Sequence, residues 1–403
     1  MEDVISHEHN RTFARRIITA PDLAKWPGIT LDGAGRSEDG QVFIGPTEAE
    51  AQSFKLKRLA FFDSRDPSRG RSFFASSADG KLLAASFEGN DILVWRLSDG
   101  LLVQRLHHQG HTDEVSSLSF SPIDYTLVSG SKDKAAIVWN IQDGRVLLRL
   151  EGHNGPITMV AYAPNGALIA THSVEDESVK VWNAATGECL HTFSFDEEIS
   201  EFAISADNSR LCAKKEDSCL IYDLHTCTHI AMLRHHVGEN FRWSISHQKD
   251  RIVTTVNPKP SEIKIWSMVT GEDLLTINPP KDLSSSVAFS PDGTEILTTC
   301  KDGTATTYDS RTGQPRRAYN LPAEANCVAY SPNGDYLAFR PMFRPLQVYD
   351  TKSAAFLAEL KVSEGEGYAV EDLQFLSDNQ TLLTKFDRGP LLLYNVQDVL
   401  RLQ

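Results

Sequence analysis

The chain has 403 residues, 41% hydrophobic and 23% charged, a globular composition that excludes disordered, collagen-like and disulfide-scaffold classes. Lys and Arg number 40 against 54 Asp and Glu, and the resulting net charge of −14 argues against a broad basic footprint for nucleic acid or a membrane surface. The six cysteines include no CxxC pair, MEDVISHEHN lacks the basic start and apolar run of a secretory signal, and no stretch approaches the roughly 18 apolar residues of a membrane span. The expectation is an intracellular protein with reduced thiols, cytoplasmic or nuclear and not secreted.

Residues 1–53 show no alternation and read as an irregular N-terminal arm, with a short helix over Thr12–Ile18 as a candidate element. FKLKRLA (54–60) is then a strand, and from there a repeat runs to residue 403. Its clearest marker is an apolar run ending in an aromatic residue and a small polar or charged one: ILVWR at Trp95, AIVWN at Trp139, VKVWN at Trp182, CLIYD at Tyr222, IKIWS at Trp266, TTYD at Tyr308, LQVYD at Tyr349 and LLLYN at Tyr394. Successive markers lie 44, 43, 40, 44, 42, 41 and 45 residues apart.

Ahead of each marker stands an alternating run closed by a tight turn, as in LSFSP (118–122), VAYAPNG (160–166), VAFSPDG (287–293) and VAYSPNG (328–334). Asn-Gly and Asp-Gly supply the backbone angles of a hairpin. A second apolar run such as TLVSGS (126–131) lies between turn and marker, and QDG, ATG, VTG or RTG beyond it leads into another strand. Four short strands per period of about 43 residues is the pattern of a propeller blade. Eight markers predict eight blades of four antiparallel strands, with seven blades as the alternative. Only nine residues follow Tyr394, so the strand near 54–60 is expected to supply the last blade's outermost strand and close the sheet edges.

These residues resemble the WD40-repeat β-propeller family over residues 54–403. Blade two matches most fully, with Gly110-His111 opening the repeat, Ser129 in the second strand, Asp133 in the next turn and Trp139 ending the third. The resemblance implies that Trp139, Ser129, His111 and Asp133 form a structural hydrogen-bonded tetrad. Blade three carries Gly152-His153, Asp176 and Trp182, and an extra residue in its turn leaves the hydroxyl partner open, with Thr171 the candidate. Tyr replaces Trp in four blades, and Gly-His is missing from blades four to eight.

Ser129, His111 and Asp133 also have the residue types of a nucleophile, base and orienter. A hydroxyl already engaged by an indole is poorly placed to meet a substrate, so no catalytic residues are assigned. Asp223, His225, Cys227 and His229 alternate as metal ligands would, but register places them on the turn between third and fourth strands, and Cys212 with Cys219 lacks zinc spacing. No glycine loop has the spacing for a nucleotide. No cofactor and no metal are therefore assigned.

The resulting expectation is a non-enzymatic scaffold that presents loop surfaces to other proteins or peptides. Two alternatives stand beside it. Tyr308-Asp309-x-Arg311 and Tyr349-Asp350-x-Lys352 resemble the box of substrate receptors for cullin-RING ubiquitin ligases, and a propeller hydrolase would hold a metal in a central channel. The partner-binding residues are placed in the entry loops and the turns between second and third strands. Arg340, Met342, Phe343, Arg344, Tyr368, Phe386 and Arg388 are expected to form an apolar, Arg-rimmed patch, while Glu197 and Glu198 steer a basic segment of the same partner.

Overall fold

The computed structural model describes residues 56–58, 73–86, 90–98, 100–216, 218–234, 242–246, 251–256, 261–342, 344–360, 370–386 and 392–397. These residues form eight sheets of four antiparallel strands, the blades of an all-β propeller. Blade one spans 73–106, blade two 115–150, blade three 157–194, blade four 201–234, blade five 242–277, blade six 283–320 and blade seven 325–360. Blade eight takes three strands from 370–395, and Leu56–Arg58 pairs beside its last strand, with Leu56 opposite Tyr394 and Arg58 opposite Leu392. Residues 1–53, including the segment Thr12–Ile18, lie outside the described residues.

Contacts gather the chain into two compact units, one of 1–162, 166–194 and 385–395, the other of 163–165, 195–384 and 396–403. In the first unit, Val128, Ala136, Val138 and Leu150 of blade two share an apolar cluster with Ile157, Val160, Ile169 and Trp182 of blade three. In the second unit, Leu297, Ala305 and Tyr319 of blade six pack with Leu337, Phe339 and Tyr349 of blade seven.

Burial on both faces explains why second and third strands read as continuous apolar runs: four of the five residues of Ala136–Asn140 are buried. Fourth strands lie at a sheet edge, and in blade three polarity returns there. In Cys189–Ser194 only Phe193 is buried.

The turn residues are chosen for hydrogen bonding. In blades one, four, six and seven, a Ser of the first turn (Ser77, Ser205, Ser290, Ser331) bonds to the acid or amide two residues on and accepts the amide five residues on. The side chain thereby adds to the backbone bonds that close each hairpin, from the Ser amide to the carbonyl five residues on. In blades three, four and six the polar residue after the aromatic does the same for the next turn: Asn183, Asp223 and Asp309 each accept the amides two and three residues on. A bulge at the aromatic recurs in blades one to seven, where the third strand meets the fourth.

Candidate functional site

Blade two brings its four signature residues together. Trp139 Nε1 donates to Ser129 Oγ at 2.8 Å, Ser129 Oγ meets His111 Nε2 at 2.7 Å, and His111 Nδ1 meets Asp133 Oδ2 at 2.9 Å. Ser129 and Trp139 are fully buried and His111 is 3% exposed. Gly110 precedes the histidine because its bare Cα lies against the indole: a Cβ there would come within 2.8 Å of Trp139 Cη2. Burial pushes the Asp133 carboxyl up, but the His111 hydrogen bond and charge, with the Thr112 and Ala135 amides, outweigh it and hold the group at about 2.

Blade three repeats the arrangement with Thr171 as the hydroxyl. Trp182 Nε1 donates to Thr171 Oγ1 at 2.8 Å, His153 Nε2 lies 2.8 Å from the same oxygen, and His153 Nδ1 is 2.7 Å from Asp176 Oδ2. Burial draws the His153 pKa below its ordinary value, partly opposed by Asp176. The extra residue therefore falls in the turn and leaves the strand register intact, with Ile169 opposite Trp182 as Leu127 is opposite Trp139.

Counting from that register locates the hydroxyl position in other blades. In blade five it is Thr254, whose Oγ1 accepts from Trp266 Nε1 at 2.7 Å. In blade six it is Thr298, beside Tyr308, and its buried hydroxyl has no hydrogen-bond partner among the described residues. In blade seven Phe339 holds the position and packs edge-to-face on Tyr349, ring centroids 5.5 Å apart, with Tyr319 5.6 Å from both. An aromatic cluster replaces the polar one there.

The tie between entry loop and turn also survives under other chemistry. Lys215 of blade four, its side chain 3% exposed, binds Asp196 Oδ1 at 3.1 Å and Glu197 Oε2 at 2.9 Å. Burial lowers the Lys215 pKa, but these two carboxylates more than compensate and the net shift is upward. Lys281 Nζ lies 2.8 Å from Asp302 Oδ2 in blade six. A scan for Gly-His cannot find these pairs, because the sign of the charge is reversed between loop and turn in blade four.

Of the expected docking residues, Arg340 donates from Nη1 to Asn326 Oδ1 at 3.1 Å, Met342 is 36% exposed, and Arg344 is exposed. Phe343, Tyr368 and Arg388 lie outside the described residues. Phe386 ends the strand Thr381–Phe386, and its side chain is likewise outside what is described. Glu197 is already engaged by Lys215, while Glu198 is exposed.

Other chemical candidates are occupied by turns. Asp223 accepts the His225 and Thr226 amides and pairs with Arg210 at 2.7 Å, and Cys227 sits in the turn itself at φ 57°. Asp309 of the Tyr-Asp-x-Arg box accepts the Arg311 and Thr312 amides and pairs with Arg316, and together these hold its carboxyl well below the usual range. Among the described residues, no three of His, Cys, Asp or Glu are placed to share a metal ion, and no helix is long and apolar enough to cross a membrane.

Comparison with known proteins places three of these repeats. The family model for the WD domain, G-beta repeat, matches residues 102–140, 144–183 and 274–309. The chain is 37% identical over 120 residues to the small ribosomal subunit protein RACK1y of Oryza sativa subsp. japonica, covering 29% of this chain and 35% of that protein. It therefore spans about a third of the rice protein. It is 26% identical over 251 residues to eukaryotic translation initiation factor 3 subunit I of Aspergillus fumigatus, covering 57% of this chain and 72% of the relative, and 24% identical over 256 residues to the same subunit of Coccidioides immitis. The matched repeats lie over blades two, three and six, and in blades two and three the Trp, hydroxyl, His and Asp are joined, so the chain carries WD40 repeats within an all-β propeller of eight four-stranded blades.

Proposed function

We propose that the protein is a non-enzymatic scaffold that holds other proteins or peptides on its loops. The observation that carries this reading is the engagement of Ser129: its hydroxyl is fully buried and held by Trp139 and His111. The constellation most like a nucleophile and base is thereby committed to holding loop to turn inside one blade. The Tyr-Asp-x-Arg box has its acid committed to a turn in the same way. The relatives are named as a ribosomal-subunit protein and a subunit of an initiation factor, both members of larger assemblies, which supports a cytoplasmic place among protein partners.

The proposed docking surface combines Arg340, Met342, Phe343, Arg344, Tyr368, Phe386 and Arg388, with Glu197 and Glu198 on an acidic side. Phe343→Ala together with Arg344→Ala is expected to abolish affinity capture of the wild-type protein's partners and leave its melting temperature unchanged. Reciprocal capture from the partner should show the same loss. Undiminished capture would move the docking surface elsewhere, and failure of wild type to retain any protein reciprocally would overturn the scaffold reading.

A further inference from the structure

Asn-Gly occurs three times in the chain, at 154–155, 165–166 and 333–334. In such a pair the glycine amide nitrogen can attack the preceding side-chain amide, because glycine has no Cβ to obstruct the approach. The surroundings decide which pair reacts. At Asn154-Gly155 the Asp176 carboxylate accepts both backbone N–H groups. The attacking nitrogen is thereby committed as a donor to an anion, which opposes loss of its proton.

Asn165 and Asn333 occupy the same place in blades three and seven, in VAYAPNG and VAYSPNG, each on the turn between first and second strands. In blade seven the side-chain amide is pinned at both of its polar atoms. Ser331 Oγ donates to Asn333 Oδ1 at 2.8 Å, and Asn333 Nδ2 donates to Asp335 Oδ2 at 2.7 Å. Lys352 holds the other oxygen of Asp335 at 2.9 Å. Blade three has Ala163 and Ala167 at the two anchoring positions, and a methyl group offers neither hydroxyl nor carboxylate. Asn165 is exposed, while Gly166 lies at φ 72° with Ile123 beside its Cα.

We propose that Asn165 is a site of spontaneous deamidation, singled out from the other two pairs because blade three lacks the side-chain anchors of blade seven. The Gly166 nitrogen loses its proton to solvent base and bonds to Asn165 Cγ, the bond from Cγ to Nδ2 breaks, and ammonia leaves a succinimide ring. Water then opens the ring at either carbonyl to give aspartate or isoaspartate, with no change of oxidation state. Either product carries a negative charge that the amide lacked. The isoaspartate route also inserts a methylene into the main chain of the hairpin, beyond the pairing of Tyr162 with Ile169. In blade seven the same step must first break the bonds from Ser331 and to Asp335, since Cγ has to swing toward the nitrogen and Nδ2 has to depart.

The test incubates the full chain at mildly alkaline pH and follows each pair by peptide mapping with mass spectrometry, which reads the mass gain from amide to acid. Native Asn165 is expected to react at least about fivefold faster than Asn333, the factor that one lost hydrogen bond implies. Ala163→Ser is expected to slow Asn165, and Ser331→Ala to speed Asn333, by about that factor. In urea Asn165 and Asn333, both preceded by proline, should react at one rate, which makes the native difference a property of the fold. Equal native rates, a faster Asn333, a difference that persists in urea, or native rates indifferent to both serine substitutions would each overturn the proposal.

Discussion

Thr298 is a hydroxyl in search of a donor. It occupies in blade six the place that Thr254 occupies in blade five, where an indole satisfies it, but Tyr308 has no N–H at that point. Tyr308→Trp should restore the bond and stabilise the protein by about 1 kcal/mol in urea denaturation, the usual net value of a buried hydrogen bond. A destabilised variant would show that the slot around Tyr308 has closed to the smaller ring. His172 offers a second test. Burial, and secondarily the nearby His153, push its pKa down to about 4 against an ordinary value near 6.5. Between those values the unfolded chain holds the extra proton, so stability is full above pH about 6.5 and is lost as pH falls toward about 4, by on the order of 3 kcal/mol. His172→Thr, the residue type used at the same register in blades five and six, should flatten that slope between pH 7 and 4. An unchanged slope would place the acid sensitivity in other groups.

At the scale of the strand and the turn, much of the molecule was legible because the repeat reports geometry directly. The aromatic marker ends a strand, the residue after it caps a turn, and Pro-Asn-Gly or Pro-Asp-Gly closes a hairpin, so each motif residue has one local job visible in its type. The tetrad of blade two follows for the same reason. What stayed hidden depends on partners distant in sequence. The extra residue in the turn of blade three obscured Thr171, and only strand register shows that it lies where Ser129 does. The replacement of His-Asp by Asp196, Glu197 and Lys215 keeps the tie from loop to strand while changing every residue type in it. Phe339 substitutes ring packing for a hydroxyl, and nothing in YLAFRP marks that change before the neighbouring Tyr319 and Tyr349 are placed. First-strand serines were illegible likewise: Ser117 and Ser119 of blade two accept the Val160 and Tyr162 amides of blade three at 3.0 and 3.1 Å, pairing N–H groups on the next blade's first strand.

For the molecule as a whole, the open question is how a chain of sheets avoids ending in a bare edge, and Leu56–Arg58 bears on it. That strand pairs with Leu392–Asn395 from the other end of the sequence, Leu56 opposite Tyr394. We propose that this pairing closes the fold and that residues 1–53 are dispensable to it. The pairing is short, with three residue pairs, so its backbone bonds alone stabilise modestly, at about 1 kcal/mol each. Its larger effect is to cover a strand that would otherwise expose a row of unpaired N–H and C=O groups to another chain. Deleting residues 1–53 is therefore expected to leave the melting temperature nearly unchanged and the protein monodisperse in light scattering, whereas deleting 1–61 should lower the melting temperature and produce concentration-dependent aggregation. Adding back a peptide of residues 54–61 in trans should partly reverse that aggregation, because the edge it covers is the same one. Equal melting temperatures and equal scattering for the two truncations would show that the last blade needs no strand from the N-terminal side.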